Sequence, residues 1–442
     1  MERSDLVIVG GGAAGPQAAI TAQRLASIEK VTVIRREPKA LIPCGIPYIF
    51  GTLGSVEKNI FPDALLGNAE LVIDEVTSID RETQTLITSG GKSIGYRKLI
   101  LATGSQPAVP PIPGRELDNV FTVRKDMDYL QKLQSALEGA KEVVIVGGGF
   151  IGVEVGDEIR KRGIDVTIVE MLPRCLMLNC DEEFCIRAEK KLTERGVRVI
   201  TDSRVTSIAG DGKVDHIELS SGERIKADLV IIAIGVAPST ELAKSAGLGI
   251  GEQRGIRVDQ FMRTDDPHIF AIGDCAERFS FFTGKPSALR LASIATSEAR
   301  IACVNLFEQR RKSEGAIGVF STVIGDMAIS VAGLTEGAAK DAGFEFVTSE
   351  VMAPDRHPGS MPGVTQLQTK LVFERGTGKL LGGELCGGIS TGEMGNILGS
   401  LIRSRATVED VATLHFGTHP ALTSSPITYP LVDAAEQALT KI

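Results

Sequence analysis

The stretch Asp5-Leu6-Val7-Ile8-Val9-Gly10-Gly11-Gly12-Ala13-Ala14-Gly15 is an apolar run closing on spaced glycines, and a helix-forming segment follows it to Ala26. It reads as strand, turn and helix. Gly10 permits the tight turn, Gly12 lets a pyrophosphate approach the backbone, and Gly15 allows close helix-strand packing, with the helix N-terminus attracting the phosphates. One such triplet is weak evidence of a dinucleotide site. A second stands in the same context at Glu142-Val143-Val144-Ile145-Val146-Gly147-Gly148-Gly149-Phe150-Ile151-Gly152. The pair predicts an α/β fold with two Rossmann-like dinucleotide-binding domains.

The residue ending the next strand separates the two modules. After the second motif, Val166-Thr167-Ile168-Val169-Glu170 places a carboxylate where it can accept both ribose hydroxyls of an adenosine and would repel a 2′-phosphate, which favours NADH over NADPH. After the first, Val31-Thr32-Val33-Ile34-Arg35-Arg36-Glu37 puts arginine where the acid is expected. Either Glu37 reaches back to the ribose, or Arg35 and Arg36 contact phosphates and the hydroxyls are held otherwise.

Outward from these motifs the chain repeats itself. Lys98-Leu99-Ile100-Leu101-Ala102-Thr103-Gly104 closes the first module, and the proline-rich stretch from Gln106 to Gly114 reads as a linker. The segment from Asp228 through Ala233-Ile234-Gly235 to Pro238 closes the second in the same way. Ile269-Phe270-Ala271-Ile272-Gly273-Asp274 is a further short strand ending on Gly-Asp, followed by a helix expected over 288–307. From about Phe320 strands such as Leu367 to Phe373 and Leu380 to Leu385 precede helices, which predicts a C-terminal α+β unit.

Composition narrows the function classes. At 442 residues with 43% hydrophobic content, the chain can fill about three domains. A net charge of -8 argues against nucleic acid or an anionic membrane as the main partner. The chain enters a strand within a few residues without a cleavable-signal pattern, and no apolar run approaches ~18 residues, so a cytoplasmic protein is expected. Seven scattered cysteines do not form a disulfide framework. Cys175, Cys180 and Cys185 recur every five residues, a spacing that fans them around a helix and does not suit a metal site, so no metal is expected. Cys275, Cys303 and Cys386 look structural.

Cys44 is different. It stands in Leu41-Ile42-Pro43-Cys44-Gly45-Ile46-Pro47-Tyr48 with Ile49, not a second cysteine, five residues on. A lone thiol beside two dinucleotide fingerprints suggests a flavin that passes electrons to one sulfur. The two glycine motifs, Ala102-Thr103-Gly104, Ala233-Ile234-Gly235, Ile272-Gly273-Asp274 and the isolated Cys44 together resemble the FAD-dependent pyridine nucleotide-disulfide oxidoreductases over nearly the whole chain. The single cysteine is similar to the branch that holds coenzyme A disulfide reductases, NADH-dependent persulfide reductases, NADH peroxidases and NADH oxidases.

The resemblance implies an FAD domain over 1–112 and 246–318, an NAD domain over 113–245 and a C-terminal dimerisation domain over 319–442. It implies a homodimer, with a tetramer left open. It places Asp274 at the FAD ribityl-phosphate region and the N-terminus of the 288–307 helix at the flavin pyrimidine ring, where reduced flavin carries negative charge. Gly273, Ala14, Pro43, Val76 and Ala292 complete the candidate cofactor contacts, and Phe150 or Ile151 would gate the nicotinamide face.

The chemistry expected is attack by a Cys44 thiolate on a persulfide or a low-molecular-weight disulfide, since the thiolate is the nucleophile toward sulfur. His419, in Gly417-Thr418-His419-Pro420, resembles the His-Pro element with which two-cysteine members deliver a base across the dimer interface. It is the leading proton donor, with His357 behind it. The glutamate that orients that histidine is absent, Ser424-Ser425-Pro426 standing there instead. Arg35, Arg36 and Lys39 near Cys44, with Arg24 on the first helix, would give an acidic protein a basic approach to its thiol, which suits coenzyme A as substrate or bound ligand. Two readings compete with sulfur reduction: an NADH oxidase or peroxidase cycling Cys44 through sulfenic acid, and a non-catalytic flavin-based NADH sensor.

Overall fold

A computed structural model describes residues 2–25 and 28–442, which form two compact units. The first comprises Met1–Pro110, Phe121–Ala140 and Ile234–Ala316; the second comprises Pro111–Val120, Lys141–Ala233 and Ile317–Ile442.

In the first unit the apolar run of the opening motif is the central strand Glu2–Val9, parallel to Val31–Arg35 on one side and to Ser93–Leu101 on the other. Glu70–Ile73 extends the sheet beyond Val31–Arg35, and Ile269–Ala271 pairs in parallel with Ser93–Leu101. Leu6, Ile8, Ile34, Ile100 and Ile269 are all fully buried, as expected of parallel strands covered on both faces. The helix Ala14–Ala22 packs against Ala292–Val304. It ends four residues before the expected Ala26, which lies outside the described residues.

Two expectations need adjustment here. The helix after Gly-Asp starts at Ala292 rather than 288, because Pro286–Ser287 is paired as a strand with Arg278–Phe279. The proline-rich stretch is not wholly linker, since Ser105–Pro107 pairs antiparallel with Val236–Pro238. That ladder joins the segments following the two similar strand-Gly elements.

The second unit holds the other dinucleotide module. Its parallel sheet runs Val197–Ile200, Asp165–Val169, Glu142–Val146, Leu229–Ile232, with a small antiparallel sheet of Val205–Ala209, His216–Leu219 and Arg224–Lys226. Val144, Val146, Val169, Ile208, Ile217 and Val230 share one buried cluster. The C-terminal part is a five-stranded antiparallel sheet in the order Val319–Ile324, Met327–Gly333, Leu380–Gly387, Gln366–Glu374, Phe346–Pro354, with helices Thr391–Arg403 and Pro430–Leu439. The two strands expected from sequence are there, each two residues longer. The even cysteine spacing does not fan around one helix: Cys185 is on Glu182–Glu194, whereas Cys175 and Cys180 lie in the irregular segment before it. All three are buried, and no group of metal-ligating side chains forms among the described residues.

Candidate functional site

Each glycine of the first motif meets a different neighbour. Gly10 has φ +129°, and a Cβ there would stand 2.0 Å from the Ala102 carbonyl oxygen, so the turn closes against the start of Ala102-Thr103-Gly104. A Cβ on Gly15 would meet Gly10 O at 2.0 Å, whereas one on Gly12 would meet nothing within 4 Å. Internal packing thus explains the outer two glycines, and the open side of Gly12 fits a cradle for pyrophosphate. Ala13, which caps the following helix, offers no side-chain hydrogen bond, so the first-turn amides are left for another acceptor.

Arg35 turns inward. It is 3% exposed, its guanidinium grips Asp63 at 2.7 and 2.9 Å, and its remaining donors go to the carbonyls of Glu37 and Pro38. Its stem lies under Gly11, whose Cβ would be 2.6 Å from Arg35 Cδ. The structure therefore commits Arg35 to holding the glycine turn and the Asp63 segment. Arg36 is exposed and donates to Glu37 Oε1 at 2.8 Å. Val76 is buried and opens the strand Val76–Asp80.

The Gly-Asp turn is built from below. Gly273, at φ +72°, faces Ala14 Cβ and Ala295 Cβ, which brings the turn, the first helix and the Ala292–Val304 helix together. The Gly273 amide donates to Glu298 at 2.7 Å, and Arg278, 4% exposed, lies 3.2 Å from Glu298 and donates to the Gly273 carbonyl. Burial lifts the Glu298 carboxyl to about 7, with Arg278 and the Gly273 amide opposing. Asp274 accepts from Ser105 Oγ at 2.7 Å and has Lys125 at 3.6 Å. The Ala292 helix begins without a side-chain cap, and Thr103 is held by the Ser239 carbonyl at 2.7 Å. Gly104 and Gly235 have φ +70° and +107° with open space where a Cβ would be. These features fit an FAD lying along the C-terminal ends of the first unit's strands.

In the second unit a Cβ on Gly152 would meet Gly147 O at 1.9 Å, while one on Gly149 would meet nothing within 4 Å. The turn thus repeats the first: closed beneath, open above. Glu170 accepts the amides of Gly148 at 2.6 Å and Leu172 at 2.7 Å, so its carboxylate is aimed by the backbone and keeps lone pairs that further donors can use. Cys175 Sγ lies against Gly148. Phe150, at the start of the helix Phe150–Arg160, meets Phe320 edge-on, and Ile151 follows it. The same helix carries Glu154, which sequence reading missed. Burial lifts its carboxyl to about 7, although Thr322 donates to it at 2.9 Å and pulls the other way. Its one-turn spacing from Phe150 was the available signal.

Of the seven cysteines, all among the described residues, Cys44 is exposed and the other six are buried. It sits in the 3-10 turn Pro43–Gly45, after an extended Ile42. Burial pushes the Cys185 and Cys303 thiols to about 12 and Cys386 to about 11, and raises Cys175, Cys180 and Cys275 as well. Those six are poor nucleophiles at neutral pH. Arg24 and Lys39 are exposed.

The two candidate histidines, His357 and His419, lie in the C-terminal part of the second unit with complementary hydrogen bonding. His419 is exposed, and its Nδ1 accepts the Ala421 amide at 3.2 Å, which leaves Nε2 to carry the hydrogen. His357 is half-buried; its Nδ1 is 3.0 Å from the Thr423 carbonyl and must donate, so its Nε2 keeps a lone pair.

Comparison with known proteins adds three kinds of likeness. The model of the family "Pyridine nucleotide-disulphide oxidoreductase" matches residues 4–299, and that of its dimerisation domain matches 319–428. A Methanocaldococcus jannaschii protein named NADH oxidase is 32% identical over 99% of both chains. The NAD(P)H coenzyme A polysulfide/persulfide reductase of Pyrococcus horikoshii is 32% identical over 87% of this chain and 88% of its own. Among solved structures, an NAD-dependent persulfide reductase from A. fulgidus superposes with a TM-score of 0.92 at 31% identity, covering 99% of this chain and 83% of that one.

Proposed function

Since the chain belongs to the pyridine nucleotide-disulphide oxidoreductases, and is thereby an NAD(P)H-dependent flavoprotein oxidoreductase, we propose that it reduces a persulfide, polysulfide or disulfide of a low-molecular-weight thiol such as coenzyme A through Cys44. The observation that carries this reading is the exposure of Cys44 while the other six thiols are buried. A second protein cysteine is unnecessary when the substrate supplies the other sulfur.

Gly10, Gly12, Gly15 and the Ala14 helix start would hold the FAD pyrophosphate, Asp274 the ribityl chain, and the Ala292 helix start the pyrimidine edge. Pro43 and Val76 would add apolar contact, and Arg36 with Glu37 would meet the adenosine end. Gly147, Gly149 and Gly152 would hold the NADH pyrophosphate, Glu170 its ribose, and Phe150 or Ile151 would gate the nicotinamide. When bound, the flavin supplies an electron pair taken from NADH. Cys44, as thiolate, attacks the outer sulfur of a persulfide; the S–S bond breaks, the carrier leaves as its thiolate, and the sulfur stays on Cys44 as a persulfide. Two electrons and a proton then return Cys44 to thiolate and release hydrosulfide. His419 would donate a hydrogen bond from Nε2–H to the departing thiolate, stabilising its charge. Arg24 and Lys39 would face the phosphates of the carrier.

The pairing of dimerisation domains in a homodimer belongs to this proposal. NADH is favoured over NADPH by the carboxylate of Glu170. No described helix is long and apolar enough to cross a membrane.

Anaerobic NADH titration tests the role of Cys44. The enzyme with oxidised Cys44 should take up about four electrons per flavin with a long-wavelength charge-transfer band, and Cys44→Ser about two without it. Equal uptake in both would overturn it. The match to a named NADH oxidase over 99% of both chains favours a second reading, in which Cys44 cycles through sulfenic acid. Stopped-flow reoxidation by coenzyme A persulfide, peroxide and air ranks the two, and fastest reoxidation by peroxide would select the second.

A further inference from the structure

Asn59 has no part in the reaction described above, yet it is a polar side chain only 2% exposed in the unit that carries Cys44. Its main chain and side chain both engage the residue that leads into the Cys44 turn. Ile42 N–H donates to the Asn59 carbonyl at 3.0 Å, and Asn59 Nδ2 donates to the Ile42 carbonyl at 2.9 Å. That carbonyl also accepts Gly45 N–H at 3.0 Å, the bond that closes the turn. On the other side of Cys44, a Cβ on Gly45 would lie 2.0 Å from Asn59 Oδ1. One side chain therefore touches the backbone immediately before and immediately after the Pro43-Cys44 pair.

We propose that Asn59 is the positioning residue for the Cys44 thiol, clamping Ile42 and Gly45 so that the Cα–Cβ direction of Cys44 is set by the fold rather than by ligand. The inference rests on the reading of Cys44 as the redox-active sulfur. Its physical basis is the geometry of sulfur transfer: the attacking and attacked atoms must be aligned at about 3–3.5 Å, and a misplacement of about 1 Å costs on the order of a hundredfold in rate. Pro43 already restricts φ ahead of the thiol. The asparagine amide removes the freedom that remains on the Ile42 side, and its oxygen leaves space for glycine alone at position 45. A carboxylate of the same shape could not donate to the Ile42 carbonyl, and an alanine would leave a gap under Gly45.

The test uses holoenzyme of Asn59→Asp and Asn59→Ala, with Gly45→Ala pressing on the same contact from the other side. Three quantities are read: anaerobic flavin reduction by NADH, the thiolate-to-flavin charge-transfer band, and the pH profile of Cys44 alkylation by iodoacetamide. Flavin reduction should stay within about twofold, because it does not involve the thiol. The band should weaken, the alkylation profile should move, and reoxidation by coenzyme A persulfide should slow by about tenfold to a hundredfold. Asn59→Asp and Asn59→Ala should behave alike, since both lose the donor. If the Asn59 variants fail to bind flavin, Gly45→Ala decides the matter through the same readouts. Variants that keep flavin and show the wild-type band and alkylation profile would overturn the proposal, as would a parallel loss of flavin reduction by NADH. Alkylation needs no electron acceptor, so an enzyme that prefers peroxide to persulfide changes the proposed substrate and leaves this result standing.

Discussion

Glu154 shows what one half-buried carboxyl contributes. It stands a helical turn beyond Phe150, and its carboxyl is lifted to about 7 by burial, with Glu158 adding like charge. In the unfolded chain the same group titrates near the ordinary value of 4.5. Between these two pH values the folded protein holds a proton that the unfolded chain has released. The stabilising contribution is therefore fully present below about 4.5 and is lost as pH rises through about 7. Glu154→Gln should remove that slope and raise the melting temperature above pH 7 relative to wild type, as read by thermal unfolding of cofactor-free protein across pH 5 to 8. A wild-type slope retained in Glu154→Gln would place the proton elsewhere. Cys44 could be found from sequence because no cysteine stands five residues on. Asn59 could not, because its importance lies in two backbone atoms that reach it only after the chain has turned.

At the scale of the element, the two glycine turns separate folding from binding. Gly149 has an extended backbone and open space where a Cβ would go, whereas a Cβ on Gly152 would strike the Gly147 carbonyl. Gly149→Ala should fold with stability within about 0.5 kcal/mol of wild type, as surface substitutions do, and lose NADH affinity because the methyl would occupy the pyrophosphate approach. Gly152→Ala should cost about 1–3 kcal/mol or more, as overpacking does, since backbone cannot yield like a side chain. Urea midpoints and NADH titrations of flavin reduction measure both, and equal effects in the two variants would refute the distinction. The Ala292 start of the helix after Gly-Asp was not legible in the sequence. Residues 288–291 have ordinary helix formers among them, and the pairing of Pro286–Ser287 with Arg278–Phe279 draws the chain out ahead of them.

At the scale of the whole molecule, the second unit carries a charge network joining the dinucleotide-binding part to the antiparallel sheet. Lys370, on the strand Gln366–Glu374, is 7% exposed at its side chain and lies within 2.9 Å of Asp181, Glu183 and Glu336. Glu384 is fully buried, accepts the Asp181 amide at 2.9 Å, and has its carboxyl pushed well above the usual carboxylate range by burial, with Asp181 beside it adding to the shift. Lys370→Met would leave three carboxylates facing one another without their cation. It should destabilise the protein by about 3 kcal/mol, measurable as a lowered urea midpoint. No change would mean that solvent already screens the group. Glycine spacing, strand-length apolar runs and the neighbours of a cysteine are local properties of the chain, so the two dinucleotide modules, the C-terminal α+β dimerisation domain and the singling out of Cys44 among seven cysteines were all legible before folding. That Arg35 is spent on Asp63, that the Glu154 carboxyl is lifted toward neutrality, that Lys370 gathers three acids and that Asn59 grips the Cys44 turn became visible only in the folded chain. Each depends on groups distant in the chain meeting where water is scarce, and no periodicity records that.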